Sequence, residues 1–328
     1  MNFKIKYTRL GNKFFFISNL AEWHFSCRER YNLIWLEKIG ELSKKERGLL
    51  KLFGDILKKY NFKKYLGYHL IVEKDESGVW KKIKKDVTKK EFEIISKTFD
   101  VFENKFEKVW KPEILERNSK ILEKELKRKR YKKIQTDLNS FLRKPSKIRK
   151  SVDIFLLKHP EKNIYLAGGA NLKGKGLTIE CNELAYPITE FVERTIAVIY
   201  HELTHILYGE NIRRVIRKVL SKNKIGPNKK ILGRPIKDIM EEIIICTVFP
   251  SGYLAEKYFS YNPYKTIENN YKNMGSISLK KMKGDGFNKI RNYLVYKTCP
   301  IAEKYIKNYK KIDLKFVENI LRELKIVD

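Results

Sequence analysis

The chain has 328 residues, 42% of them hydrophobic, which is enough for a sizeable core and excludes an intrinsically disordered chain. No stretch approaches the roughly 18 consecutive apolar residues that a membrane-spanning helix needs, so a helical membrane protein is excluded as well. Lysine and arginine number 71 against 39 acidic residues, and the net charge of +32 favours nucleic acid, acidic proteins or other anionic partners over basic ones.

The N-terminus, "MNFKIKYTRLGNKFFFISNLAEW", carries a short apolar patch without a long h-region or a small-residue cleavage site. It is expected to belong to the mature protein, and the protein is expected to be cytoplasmic. Residues 1–150 read mostly as helix. "YNLIWLEKIGELSKKERGLLKLFGDILKKY" and "KKEFEIISKTFDVFENKFEKVW" keep apolar residues at helical spacing, with lysines on the other face. "ILEKELKRKRYKKIQTDLNSFL" continues the pattern and holds the most basic run, "KRKRYKK", which reads as a solvated helix face or a phosphate-binding stripe. The texture changes after "RKPSKIRK". "SVDIFLLKHP", "NIYLAGG" and "GKGLTIEC" are β-rich and read as strands, punctuated by Pro160 and by glycines from Gly168 to Gly176.

A long helix follows. Thr189 is its expected N-cap, with Glu190 and Glu193 in the first turns, where the helix dipole favours acid. The apolar pattern runs from Phe191 to Leu207, and Gly209 is expected to stop the helix. A basic connection, "RKVLSKNKIGPNKKILGRP", leads to a second helix, "IKDIMEEIIICTVF", expected to end near Pro250. The remainder reads as helix with short turns, including "KGDG" at residues 283–286. Cys27, Cys181, Cys246 and Cys299 form no C-x-x-C, which argues for buried reduced thiols and against a zinc ribbon or redox pair. A single glutamine, Gln135, beside abundant Lys, Ile and Glu fits a hyperthermophile. That bias enriches both charge signs, so it leaves much of the basic excess unexplained.

Two of the five histidines stand four apart in "VIYHELTHILYG", residues 198–209. On a helix such residues lie about 40° apart on one face, so His201 and His205 can grip one ion together. Glu202, beside the first, can reach water on that ion. Amide hydrolysis needs this division of labour: zinc acidifies its water and polarises the carbonyl, and the glutamate acts as general base. A catalytic zinc needs a third protein ligand. A metzincin carries it as a histidine six residues after His205, but that position is Asn211, and no histidine follows His205. A downstream ligand must therefore be a carboxylate. Glu210 lies well round the helix, whereas Asp238, Glu241 and Glu242 occupy the next helix. Glu241 and Glu242 interrupt an apolar run, where a buried carboxylate needs a partner. Glu242 is preferred, because one turn later it has Cys246, small enough to leave room beside a metal, where Glu241 has Ile245. Glu241 is then expected to face solvent, and its replacement by Gln to leave metal and turnover nearly intact.

"HELTH", residues 201–205, and "MEE", residues 240–242, resemble the zincin metallopeptidases of the glutamate-ligand branch, the gluzincins. The resemblance covers residues 151–255. It implies a zincin-like core with a small mixed β-sheet and two active-site helices; with the helical readings of the flanking regions 1–150 and 256–328, which resemble no family, the expected fold is α+β and mostly helical. It implies one zinc ion on His201, His205 and Glu242, with Glu202 as the base and a peptide or protein as substrate. In gluzincins an edge strand before the H-E-x-x-H helix holds the substrate backbone extended, and "IYLAGGAN", residues 164–171, would take that place. The segment is faintly similar to the Gly-Ala-Met-Glu-Asn loop of gluzincin aminopeptidases but lacks its Met and Glu, so it does not imply recognition of a substrate amino terminus. Gluzincins also use a tyrosine or histidine on the developing oxyanion. Tyr253, Tyr258, Tyr261 and Tyr264 follow the second helix and are all available. The rival reading is a basic nucleic-acid-binding protein on the same scaffold, with or without metal.

Overall fold

The computed structural model describes residues 2–24, 27–60, 66–73, 75–145, 150–161, 168–172, 176–184, 189–231, 233–261, 263–273 and 286–324. The chain opens with strand β1 (Asn2–Lys6) and helix α1 (Arg9–Leu20). Helices α2 (Glu29–Ile39), α3 (Lys44–Tyr60), α4 (Leu66–Val72), α5 (Glu76–Asp86) and α6 (Lys89–Val101) follow. Next come α7 (Glu103–Glu107), α8 (Pro112–Leu126) and α9 (Lys129–Leu142). Strands β2 (Ser151–Lys158), β3 (Gly169–Asn171) and β4 (Leu177–Cys181) precede the long helix α10 (Glu190–Lys222). A small hairpin, β5 (Lys230–Ile231) and β6 (Arg234–Pro235), leads into α11 (Ile236–Cys246). Helices α12 (Tyr253–Tyr258), α13 (Pro263–Tyr271), α14 (Gly286–Lys307) and α15 (Leu314–Glu323) complete the described elements. The fold is α+β and mostly helical, and no helix among the described residues is long and apolar enough to cross a membrane.

The chain divides into two compact units that are discontinuous in sequence. One comprises Asn2–Glu123 and Ser151–Tyr186; the other comprises Lys124–Lys150 and Pro187–Asp328, with Met1. Residues 151–186 thus belong to the first and residues 187–255 to the second.

The first unit holds a four-stranded mixed sheet in the order β1-β2-β4-β3. β1 and β2 pair in parallel, as do β2 and β4, while β3 runs antiparallel to β4 at the edge. β2 is central, and its Ile154, Phe155, Leu156 and Leu157 are all buried, the continuous apolar run expected of a strand covered on both faces. Residues 1–150 were expected to be mostly helical, and they are, but β1 belongs to the sheet. "NFKIK" finds its partner near residue 151, a pairing that no local pattern announces. Asn12 of α1 ties helix to sheet, donating to the carbonyl of Leu156 (3.1 Å) and accepting from the amide of Lys158 (2.7 Å). The helices pack around an aromatic core in which Phe16 meets Trp35 edge-on at 5.1 Å. The helical reading of residues 31–60 is broken at Gly40, whose φ of +79° a residue with a side chain adopts only at a cost. Residues 163–167 of the expected "NIYLAGG" strand and residues 283–285 of the expected turn lie outside the described residues.

In the second unit α10 is the axis. Thr189 precedes it in extended conformation, as an N-cap should, though its hydroxyl makes no capping bond. Glu193 in the first turn is buried, accepting from Arg130 (2.8 Å) and from the amide of Ser260 (2.6 Å). The expected stop at Gly209 is wrong: the helix continues for 13 further residues to Lys222. α11 packs along α10, with α14 and α15 beside them.

Candidate metal centre

His201 and His205 project from the middle of α10, their rings 5.0 Å apart and nearly perpendicular. Glu242 reaches them from α11. Its Oε2 is 3.2 Å from Nε2 of His205 and 3.6 Å from Nε2 of His201. One ligand atom from each of the three residues lies within 4.8 Å of the others, and theirs is the group of this kind among the described residues. Four tetrahedral bonds of 2.0–2.1 Å place neighbouring ligand atoms roughly 3.3 Å apart, so the Glu242 distances suit a zinc-sized ion.

The other ring nitrogens are already committed. Nδ1 of His201 lies 3.0 Å from the carbonyl of Phe249, which can only accept, so Nδ1 carries a hydrogen and Nε2 is the ring nitrogen turned to the centre. Nδ1 of His205 lies 3.1 Å from Oε1 of Glu241. Such partners fix ring orientation and raise ligand basicity in metal sites. Glu241 therefore does not face solvent as expected. It is 5% exposed, and Arg213 of α10 grips both its oxygens at 2.9 and 3.0 Å. The burial is offset by an ion pair in which one guanidinium nitrogen, Nη1, reaches both oxygens, and which the sequence pattern did not reveal.

Gly209 has a reason other than termination. A Cβ there would stand 2.8 Å from Glu241 Oε1 and 3.0 Å from Arg213 Nη1. The glycine, one turn beyond His205, leaves room for the ion pair that holds that ring.

Electrostatics follow the geometry. Burial works against a charged His205 ring, but hydrogen bonds to Glu241 and Glu242 overcome it and push its pKa up to about 10. A cation and a proton thus compete for Nε2, and cation binding is coupled to proton release. Burial would raise the Glu242 carboxyl, yet His201, His205 and Arg291 hold it well below the usual range. Arg291 of α14 brings Nη1 within 3.6 Å of Glu242 Oε1. Burial, then the Glu242 charge, push the Cys246 thiol far above its ordinary value; its Sγ lies 3.6 Å from Oε1, a neutral neighbour where room was expected. Glu202 is 9% exposed, and its charge helps to raise His205. By contrast, His159 in the other unit is a histidine used for packing. It stacks on Tyr31 at 5.3 Å, and burial followed by Arg28 lowers its pKa to about 3.

Of the four tyrosines available for oxyanion binding, three have hydroxyls engaged elsewhere, and the fourth has a lysine over its ring. Tyr258 donates to Asp137 (2.8 Å), Tyr264 to the carbonyl of Tyr296 (3.1 Å) and Tyr261 to that of Pro250 (3.4 Å), while Tyr253 lies beneath Lys307. Asp238 is exposed at the start of α11, and Glu210 pairs with Arg217 on the surface. Phe249, Arg213 and Arg291 escaped the sequence reading, and only the adjacency of Glu241 to Glu242 hinted at any of this. No family model, curated protein or solved structure matches the chain.

Proposed function

We propose that this protein is a zinc-dependent peptidase of the gluzincin type, with His201, His205 and Glu242 holding one zinc ion. The observation that carries the reading is the convergence of two imidazole nitrogens and one carboxylate oxygen, with both remaining ring nitrogens fixed by acceptors. A zinc ion there would supply Lewis acidity toward a scissile carbonyl and a nearby water. The chain supplies the rest. Glu202 takes the proton of the attacking water and returns it to the leaving nitrogen. Glu241 and the Phe249 carbonyl keep the two rings in place, and Arg213 keeps Glu241 in place. A structural site has no use for a carboxylate at position 202, which is why the motif favours turnover.

The test is peptide turnover by zinc-loaded protein. Glu202→Gln should retain its zinc and lose turnover by about 10²–10⁴, the usual worth of such a proton transfer. Undiminished hydrolysis in that variant rules out Glu202 as the base.

A further inference from the structure

We propose that the surface built by the second half of α10 and the β5–β6 hairpin binds the phosphate backbone of a nucleic-acid duplex without reading its sequence. Residues 211–237 contain ten lysines and arginines and no aspartate or glutamate. The unit that carries them has 39 basic against 17 acidic residues, an excess of 22 out of the chain's 32.

Half of the ten are occupied or half-buried: Arg213 on Glu241, Arg217 on Glu210, Lys222 on Glu318, Arg234 over the Phe287 ring at 4.0 Å, and Lys237. The other five, Arg214, Lys218, Lys224, Lys229 and Lys230, are exposed, and no carboxylate among the described residues pairs with them. They do not sit on a loose tail. Arg214 and Lys218 are one turn apart on the outer face of α10, whose Ile212, Val215, Ile216 and Val219 are buried. Lys224 then takes a left-handed conformation (φ +53°) and turns the chain, with the Ile225 amide closing on the Leu220 carbonyl at 2.9 Å. The hairpin register, Lys230 opposite Pro235, and the bond from the Ile236 amide to the Lys229 carbonyl (2.8 Å) fix the two lysines beside the turn. An ordered row of unpaired cations invites a polyanion, because each phosphate neutralised releases condensed counterions.

The run singled out in the sequence, "KRKRYKK", is a poorer candidate. Its Arg128 pairs with buried Glu125 (2.9 Å), Arg130 with buried Glu193 (2.8 Å), and Tyr131 is in the core. Two further features choose among polyanions. Binding to an anionic membrane needs an apolar face to enter the headgroup boundary. Among the described residues the exposed large hydrophobics, Leu33, Leu52, Val101, Tyr309 and Leu314, all lie outside residues 211–237. Single strands are held by aromatic stacking, and residues 211–237 contain no Phe, Tyr or Trp. Phosphates of a duplex need neither feature.

The experiment is fluorescence anisotropy on the full-length chain with a short mixed-sequence DNA duplex, its single strand, and phosphatidylserine vesicles, between about 50 and 200 mM salt. Three variants are compared: R214Q/K218Q/K229Q/K230Q, the charge-preserving R214K/K218R/K229R/K230R, and K129Q/K132Q/K133Q on α9. All alter exposed side chains, and thermal melts check that they fold alike. The inference expects duplex binding that weakens steeply with salt. The first variant should lose at least about tenfold in affinity at low salt, with the log–log slope reduced by about 0.9 for each phosphate contact removed. The second should bind like the parent, and the third should stay within about twofold of it. Absence of duplex binding at low salt overturns the inference. So do equal losses in the first and third variants, tighter binding of the single strand, or binding to vesicles alone.

Discussion

The imidazole of His205 is held on both edges by consecutive residues of α11, Glu241 at Nδ1 and Glu242 at Nε2. Adjacent helical residues point about 100° apart, so a sequence pattern suggests that one of the pair turns inward and cannot say that both do. That is why Glu242 was legible and the role of Glu241 was not. Its burial depends on Arg213, 28 residues away in the chain, and on the Gly209 gap. The two carboxylates should therefore fail differently from Glu202. Glu241→Gln keeps an acceptor for the ring but removes the charge that orients and strengthens it. Zinc affinity, read by competition with a chelator, should fall about 10–100-fold, the usual cost of losing such a partner. If the variant holds zinc as tightly as the parent, Glu241 serves only to neutralise Arg213.

At the scale of elements, α10 was readable in its first half and misread in its second. Its N-cap, its apolar face and the two histidines are local features. Glycine is ambiguous locally, because the same residue ends helices and makes space between them. Gly209→Ala sets the two effects against each other. Alanine favours the helix by about 1 kcal/mol over glycine, while its Cβ crowds the far ends of Glu241 and Arg213, which can swing aside. Thermal stability should therefore shift little, by less than about 1 kcal/mol either way. Zinc affinity should drop toward that of Glu241→Gln, since the displaced carboxylate no longer holds His205. A variant with unchanged zinc affinity would show that the gap at Gly209 is incidental to the site.

At the scale of the molecule, the sheet and the histidine-bearing helix fall in different compact units, although they are neighbours in the sequence. The mostly helical α+β class was legible from periodicity, because amphipathic helices and the buried run of β2 write themselves locally. The parallel partner of β2 was not, since β1 lies some 145 residues earlier and its pairing is purely tertiary. The location of the charge excess was hidden in the same way. A count gives +32, but only the fold separates arginines spent on buried carboxylates from lysines left facing water. The central proposal is that His201, His205 and Glu242 form one zinc site. Its most direct test is the zinc content of reconstituted, desalted protein, parent beside Glu242→Gln. One zinc per chain is expected in the parent and a clear loss in the variant, where a neutral amide replaces the anionic ligand. Sub-stoichiometric zinc in the parent, or full zinc in the variant, would contradict it.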